Sequence, residues 1–220
     1  MIPVITIDGA SGVGKGTLAF RVAQYLGYQL LDSGAIYRAL ALYAISKQID
    51  LEDEVAVNEL AKVLPLRFEQ CNDSIIIFID GKDITQELRL ETTGNKASVV
   101  AKHPSVRASL IQRQRNYATL PGLVADGRDM GTTIFPDAAF KFFLMASAEI
   151  RAKRRYQQLL DQGFSAKISD IIEEIKARDY RDQTRSTSPL IPAVDAVVID
   201  TSDLNADQVF EKVCACLNNK

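Results

Sequence analysis

The sequence predicts an α/β fold in which a central parallel sheet is flanked by helices and carries a small antiparallel β insertion. Three observations point there. Short apolar runs recur at Val4–Ile7, Tyr28–Leu31, near Leu123, near Phe140 and at Val197–Asp200, and runs this short and apolar suit strands buried on both faces. Over the first forty-odd residues such runs alternate with helical patterns, the signature of a βαβ unit. Near residues 64–86 the pattern changes: L-P-L-R-F-E-Q and S-I-I-I-F-I-D are separated by Cys71, Asn72 and Asp73, and Asp80-Gly81 supplies a second turn signal.

In chain order, Val4–Ile7 is the first strand and a glycine loop follows it. Leu18, Val22, Ala23 and Leu26 then repeat at helical spacing. Tyr28–Leu31 is a strand running into D-S-G, and a helix from about Ala35 carries Ile36, Leu40 and Tyr43 on one side. After the insertion, helical patterns cover Glu91–Lys102 and resume beyond Pro104. Strands at L-V-A-D and F-K-F-F-L-M precede two arginine-rich helical segments. Val197–Asp200 is the last strand, and Val209, Phe210, Val213 and Leu217 mark a closing helix. No repeat, low-complexity tract or linker interrupts the chain, so one domain with an insertion is expected over residues 1–220.

The 220 residues suffice for one well-buried core. A net charge of −2 lacks the basic excess of a general nucleic-acid binder. No apolar run approaches the ~18 residues of a membrane span. The start M-I-P-V-I-T-I-D has no basic leader and reads as a strand, so no signal peptide is expected. The three cysteines, Cys71, Cys214 and Cys216, have no framework spacing and suggest reduced thiols in a cytoplasmic protein. Cys214 and Cys216 sit two apart on the expected closing helix and point to different sides, so no metal role is expected for them.

The stretch G-A-S-G-V-G-K-G-T, Gly9 to Thr17, carries the strongest chemical signal. Glycines at 9, 12, 14 and 16 free the backbone to turn successive N–H groups around an anion. The helix that follows presents its positive N-terminus to the same point, and Lys15 adds a cation able to reach β- and γ-phosphates. The position usually held by a Ser or Thr hydroxyl is Gly16. A Mg²⁺ ion bound with ATP would therefore keep more waters and rely on the nucleotide's own phosphates, leaving Thr17 to bond a phosphate oxygen.

Three further stretches look built for a second anion. In D-S-G-A-I-Y-R, Ser33 follows a strand and caps a helix start, with Arg38 one turn later. A-D-G-R-D-M-G-T stands just beyond the strand L-V-A-D, where parallel sheets place ligands. In R-D-Y-R-D-Q-T-R, a helix would put Arg178, Asp182 and Arg185 on one face. Arginine forks bind phosphate bidentately and never lose charge, so beside a phosphate loop they neutralise a second polyanion. The single histidine, His103, stands before Pro104 at a helix boundary and reads as structural or exposed. A hydroxyl acceptor usually needs a base, whereas a phosphate oxygen is already anionic. A site rich in arginine without histidine favours a phosphate acceptor.

At these motifs the sequence resembles the bacterial cytidylate kinases, of the nucleoside monophosphate kinase group of P-loop kinases. The carrying stretches are G-A-S-G-V-G-K-G-T, L-L-D-S-G-A-I-Y-R, P-G-L-V-A-D-G-R-D-M-G-T and E-I-K-A-R-D-Y-R-D-Q-T-R-S-T-S-P-L, spanning residues 9 to 190. The resemblance implies Mg²⁺-assisted phosphoryl transfer from ATP to CMP or dCMP by a monomer. It implies an ATP site of Gly9, Ala10, Ser11, Gly12, Val13, Gly14, Lys15, Gly16, Thr17 and Arg154, with Lys15, Arg128 and Arg185 catalytic. Ala10 stands where the family often has proline. Arg38, Arg128 and Arg185 would hold the acceptor phosphate, Arg107 and Asp129 would read cytosine with Ser33 nearby, and Ser98, Arg178 and Asp182 would face the sugar. Tyr37 and Asp126 complete the implied CMP site. The resemblance also implies an acceptor-binding subdomain over about 33–105, and a helical lid over about 149–165 with Arg151, Arg154 and Arg155. Two other readings share the loop: a kinase of a small hydroxyl substrate, of shikimate or gluconate type with Asp32 as base, and a nucleotide-dependent switch.

Overall fold

The computed structural model describes residues 2–71, 74–161, 163 and 165–218. The turn expected at Asn72–Asp73 lies outside the described residues, as do Gln162 and Phe164 of the expected lid. The chain folds as two compact units, Met1–Leu31 with Arg115–Lys220, and Asp32–Gln114. In chain order the elements are β1 (Val4–Gly9), α1 (Lys15–Leu26), β2 (Gln29–Asp32), α2 (Ser33–Ser46), α3 (Glu54–Val63), β3 (Leu66–Cys71), β4 (Ser74–Ile79), β5 (Lys82–Asp83), α4 (Thr85–Arg89), α5 (Glu91–Val100) and α6 (Pro104–Arg115). There follow β6 (Leu123–Gly127), a π-helical turn (Met130–Ile134), β7 (Phe140–Met145), α7 (Ala148–Asp161), α8 (Ile168–Thr184), β8 (Val197–Asp200) and α9 (Ala206–Asn218).

The first unit is built on a five-stranded sheet of order β2-β6-β1-β7-β8. Every residue of β1 is buried, which explains why its sequence is a continuous apolar run with few polar interruptions. It runs parallel to β6 on one side and β7 on the other, and β7 runs parallel to β8. The register sets Asp8 opposite Gly127 and Gly9 opposite Leu144, so the carboxyl ends of β1, β6 and β7 share one edge, where parallel sheets hold their ligands. Ile5, Ile7, Val124, Phe142 and Leu144 meet Leu18, Val22, Val209 and Val213 in the core that fixes α1 and α9 on the sheet. Helix α1 ends at Gly27, which takes the left-handed conformation at φ 66° and returns its N–H to Ala23 and Gln24.

The second unit packs α2 against α5 and carries the antiparallel sheet β3-β4-β5. Leu66 pairs with Ile79 and Phe68 with Ile77. Ile79 pairs with Lys82 across Asp80 and Gly81, which both take positive φ, at 49° and 77°; an Asp-Gly pair accepts that conformation and matches the twist of a hairpin. The sequence marks no element over 47–63. The structure has α3 there, capped by Asp53, whose carboxylate accepts from the Ala56 N–H at 3.0 Å, and buried through Val57 and Ala61. Helix α2 also starts earlier than expected, and its cap is Asp32 rather than Ser33: the Asp32 carboxylate accepts the Ala35 N–H at 3.0 Å. An anionic side chain suits that end of a helix better than a hydroxyl.

Candidate active site

In the first unit the glycine loop leaves β1 while still clamped to the sheet. A Cβ on Gly9 would lie 2.4 Å from the Leu144 carbonyl oxygen, so no other residue fits there without moving β7. Gly12 and Gly14 take φ of 80° and 96°, and Gly14 caps α1. Gly12, Gly14, Gly16 and Thr17 are exposed, whereas Val13 is buried and anchors the loop in the core. The loop thus presents the N-terminal amides of a twelve-residue helix outward, an arrangement that binds anions.

Lys15 is buried, and its ammonium donates to the Ala10 carbonyl at 2.8 Å, across the mouth of the loop. Asp126 stands 3.9 Å from the same ammonium. A Cβ on residue 16 would lie 3.5 Å from the second Asp126 oxygen, an ordinary contact. The loop is braced by α7 and by Thr201, just past β8, whose hydroxyl donates to the Val13 carbonyl at 3.4 Å. The Arg151 guanidinium donates to the Ser11 carbonyl and to Asp179, each at 3.0 Å, and to the Ala146 carbonyl at 3.1 Å. The Arg154 guanidinium donates to the Thr201 carbonyl and, at 3.2 Å, to its hydroxyl. The Thr201 N–H bonds the Met145 carbonyl at 2.8 Å. So Arg151 is a strut under the loop, Arg154 holds the segment after β8, and Arg155 is half-buried.

Asp8, the residue before Gly9, was not singled out by the sequence. Its carboxylate accepts the Met130 and Gly131 N–H groups at 2.9 and 2.8 Å, one on each oxygen. These amides open the π-helical turn, closed by bonds from Ile134 to Asp129 and from Phe135 to Met130. Gly131 has no room for a side chain: a Cβ would stand 2.9 Å from the Thr6 hydroxyl. Burial pushes the Asp8 carboxyl up to about 7, against the two backbone bonds; Asp129 raises it further and Lys15 lowers it. Asp8 therefore ties the strand that launches the loop to the turn that follows Arg128 and Asp129.

Arg128 donates through Nε to Asp182 at 3.0 Å, and through Nη1 to the Gly127 carbonyl at 3.2 Å. Arg178 and Asp182 are buried one turn apart on α8. Arg185 falls just past the helix, in extended conformation, and donates to the Ser188 carbonyl at 2.6 Å. The expected single helical face therefore covers Arg178 and Asp182 but not Arg185. The chain leaves the helix at Thr184, and Leu190 returns its N–H to the Asp182 carbonyl at 2.9 Å. Burial raises the Asp182 carboxyl, but Arg128, Arg178 and Arg185 together outweigh it and hold the group below the usual range. Several cations converging on one buried carboxylate can also neutralise an incoming phosphate.

The second unit holds its own cluster. Arg107 is buried, donates to the Ala101 carbonyl at 3.2 Å and lies 5.4 Å from the centre of the Tyr37 ring, a cation–π contact. Arg38 donates to the Leu88 carbonyl at 2.6 Å. Ser98 is buried on α5. The Ser33 hydroxyl donates to Gln114 Oε1 at 2.6 Å, with both residues buried. Gln114 was missed because Q-R-Q-R reads as an exposed face. His103 is buried and structural: Nε2 meets the Leu51 carbonyl at 2.8 Å. Asp32, the base of the hydroxyl-kinase reading, serves as the cap of α2. Cys214 and Cys216 lie on α9, half-buried. Among the described residues no group of three or more His, Cys, Asp or Glu gathers to hold a metal, and no helix is long and apolar enough to cross a membrane.

A protein-family model described as cytidylate kinase matches residues 5–219. The chain is 53% identical to the cytidylate kinase of Shewanella denitrificans (strain OS217), covering 96% of this chain and 94% of that one. It is 51% identical to that of Klebsiella pneumoniae (strain 342), covering 96% and 93%, and 49% identical to that of Proteus mirabilis (strain HI4320), covering 98% and 96%. A gluconokinase from Sinorhizobium meliloti 1021 is a looser structural likeness, with a TM-score of 0.49 at 14% identity over 99% of this chain and 92% of that one. That likeness carries no weight for function.

Proposed function

The chain belongs to the cytidylate kinase family, and from that membership we propose that it transfers the γ-phosphoryl group of ATP to CMP or dCMP, giving ADP and CDP or dCDP. The observation that carries the reading beyond the family match is chemical. An exposed glycine cradle and a converging set of guanidiniums stand on one compact unit, and a reaction between two polyanions needs both grips.

In this reading Gly9, Ala10, Ser11, Gly12, Val13, Gly14, Lys15, Gly16 and Thr17 take the phosphates of ATP, and Arg154 belongs to the same ATP site. Lys15 leaves the Ala10 carbonyl to follow the transferring group. An oxygen of the acceptor phosphate attacks the γ-phosphorus as the bond to the β–γ bridging oxygen breaks. The electron pair departs with ADP. Because the attacking oxygen is already anionic, catalysis by Lys15, Arg128 and Arg185 is positioning and charge stabilisation. Arg38, Arg128 and Arg185 hold the acceptor phosphate. Arg107 and Asp129 read cytosine with Ser33, while Ser98, Arg178 and Asp182 face the sugar and Tyr37 and Asp126 complete the set. Residues 33–105 act as the acceptor-binding subdomain and 149–165 as the lid.

Mg²⁺ fits a site that offers few protein ligands. Position 16 has no hydroxyl, Asp126 stands beside it, and the ion would be held by the phosphates of ATP and by water. When bound it would offset charge on the β- and γ-phosphates. We also propose a cytoplasmic monomer that binds neither nucleic acid nor membrane.

An acceptor panel tests the reading. With ATP and Mg²⁺, ADP release should be stimulated by CMP and dCMP far more than by UMP, AMP, shikimate or gluconate. A protein whose turnover ignores CMP overturns it.

A further inference from the structure

The bond between Ser33 and Gln114 has a direction, and the direction bears on base choice. Gln114 sits on α6 with no exposed surface, and its Nε2 donates to the Leu110 carbonyl at 3.2 Å. A backbone carbonyl only accepts, so the amide is turned with nitrogen toward Leu110 and oxygen toward Ser33. The Ser33 hydroxyl has one proton, and at 2.6 Å that proton lies on the bond to Gln114 Oε1. What remains on the hydroxyl is its lone pairs. Fixed this way, Ser33 offers an acceptor and no donor to a ligand.

We propose that Gln114 is a positioning residue for base selection: by holding the Ser33 proton it makes the hydroxyl an acceptor matched to the 4-amino group of cytosine and mismatched to the 4-oxygen of uracil. The proposal rests on the reading above, in which Ser33 lies beside the base. A buried polar group facing a like group is penalised strongly, whereas a freely turning hydroxyl adapts to either partner. Relay through a second buried side chain is the simplest way to take that adaptability from a serine.

The test compares kcat/KM for CMP and UMP in wild-type enzyme, Gln114→Leu, Gln114→Glu, Ser33→Ala and the Ser33→Ala/Gln114→Leu pair. Gln114→Leu frees the hydroxyl to donate, so the CMP-over-UMP ratio should narrow about tenfold, with the UMP value itself rising. Loss of structure alone would lower both values. Gln114→Glu keeps an acceptor toward Ser33 and should retain most of the preference. In the Ser33→Ala background the Leu change should move the ratio less than about twofold, because the group it acts through is gone. If Gln114→Leu does not fold, Gln114→Met fills similar volume and makes the same comparison. A ratio unchanged in Gln114→Leu while Ser33→Ala narrows it overturns the proposal. So does an equal shift with and without Ser33. A wild-type enzyme with no CMP preference would instead overturn the functional reading beneath it.

Discussion

Lys15 spans the mouth of the glycine loop by bonding the Ala10 carbonyl, and in the proposed mechanism its ammonium swings from there onto a phosphate. Lys15→Ala should therefore lower kcat sharply, by about 100-fold or more, while the fold survives; steady-state kinetics beside a circular dichroism spectrum check both halves. Asp129, at the head of the π-helical turn, is proposed to read cytosine by accepting from its amino group. Asp129→Ala should narrow the ratio of kcat/KM for CMP over UMP by roughly 10- to 1000-fold, and an unchanged ratio would remove it from base reading. These residues stand out in the sequence because spacing singles them out: G-x-x-x-x-G-K and D-G-R-D-M-G-T place charge at fixed points after a strand. Asp8 was not legible. In T-I-D-G it reads as the polar end of a strand, and nothing in one dimension says that it will meet Met130 and Gly131.

At the scale of elements, the parallel strands and the glycine-cradled helix follow from apolar runs and turn chemistry. Helix α3 escaped because the sequence reading passed over the Asp53 cap, and only two of the helix's residues, Val57 and Ala61, are buried. Asp53→Ala should cost about 1 kcal/mol of stability, the usual worth of a helix cap, read as a shift in the urea midpoint. The departure at Arg185 has a similar origin. Seven-residue spacing suggested one helical face, but the chain turns away at Thr184 to bond Leu190 back to Asp182. The arginines of α7 could be read only as cations. The structure uses Arg151 as a buried strut beneath Ser11 and against Asp179. Removing one partner of such a pair strands the other, so Arg151→Met should lower the unfolding free energy by about 3 kcal/mol in urea denaturation.

For the whole molecule, the pH dependence of stability should carry the mark of Asp8. Its carboxyl is pushed up to about 7 in the folded protein from an ordinary 3.8. Between those values the unfolded chain has released the proton that the folded protein still holds. Stability of the ligand-free protein from this group therefore falls as pH rises from about 4 to about 7, by on the order of 4 kcal/mol, and levels off above. Asp182 acts oppositely: its lowered carboxyl contributes stability at neutral pH that is lost in acid, as pH falls through its folded value. Urea unfolding at pH 3, pH 5 and pH 7 separates them, since Asp8→Asn should flatten the slope between pH 5 and pH 7 and leave the loss toward pH 3 intact.

The close approach of Gly9 to Leu144 reaches further than the loop itself. Because the backbone there admits no methyl group, the cradle cannot be re-aimed by a substitution at its own base. Any adaptation to a bulkier or differently charged donor would have to come from the rim, at Thr17 or in the segment around Arg154, while the floor stays as it is.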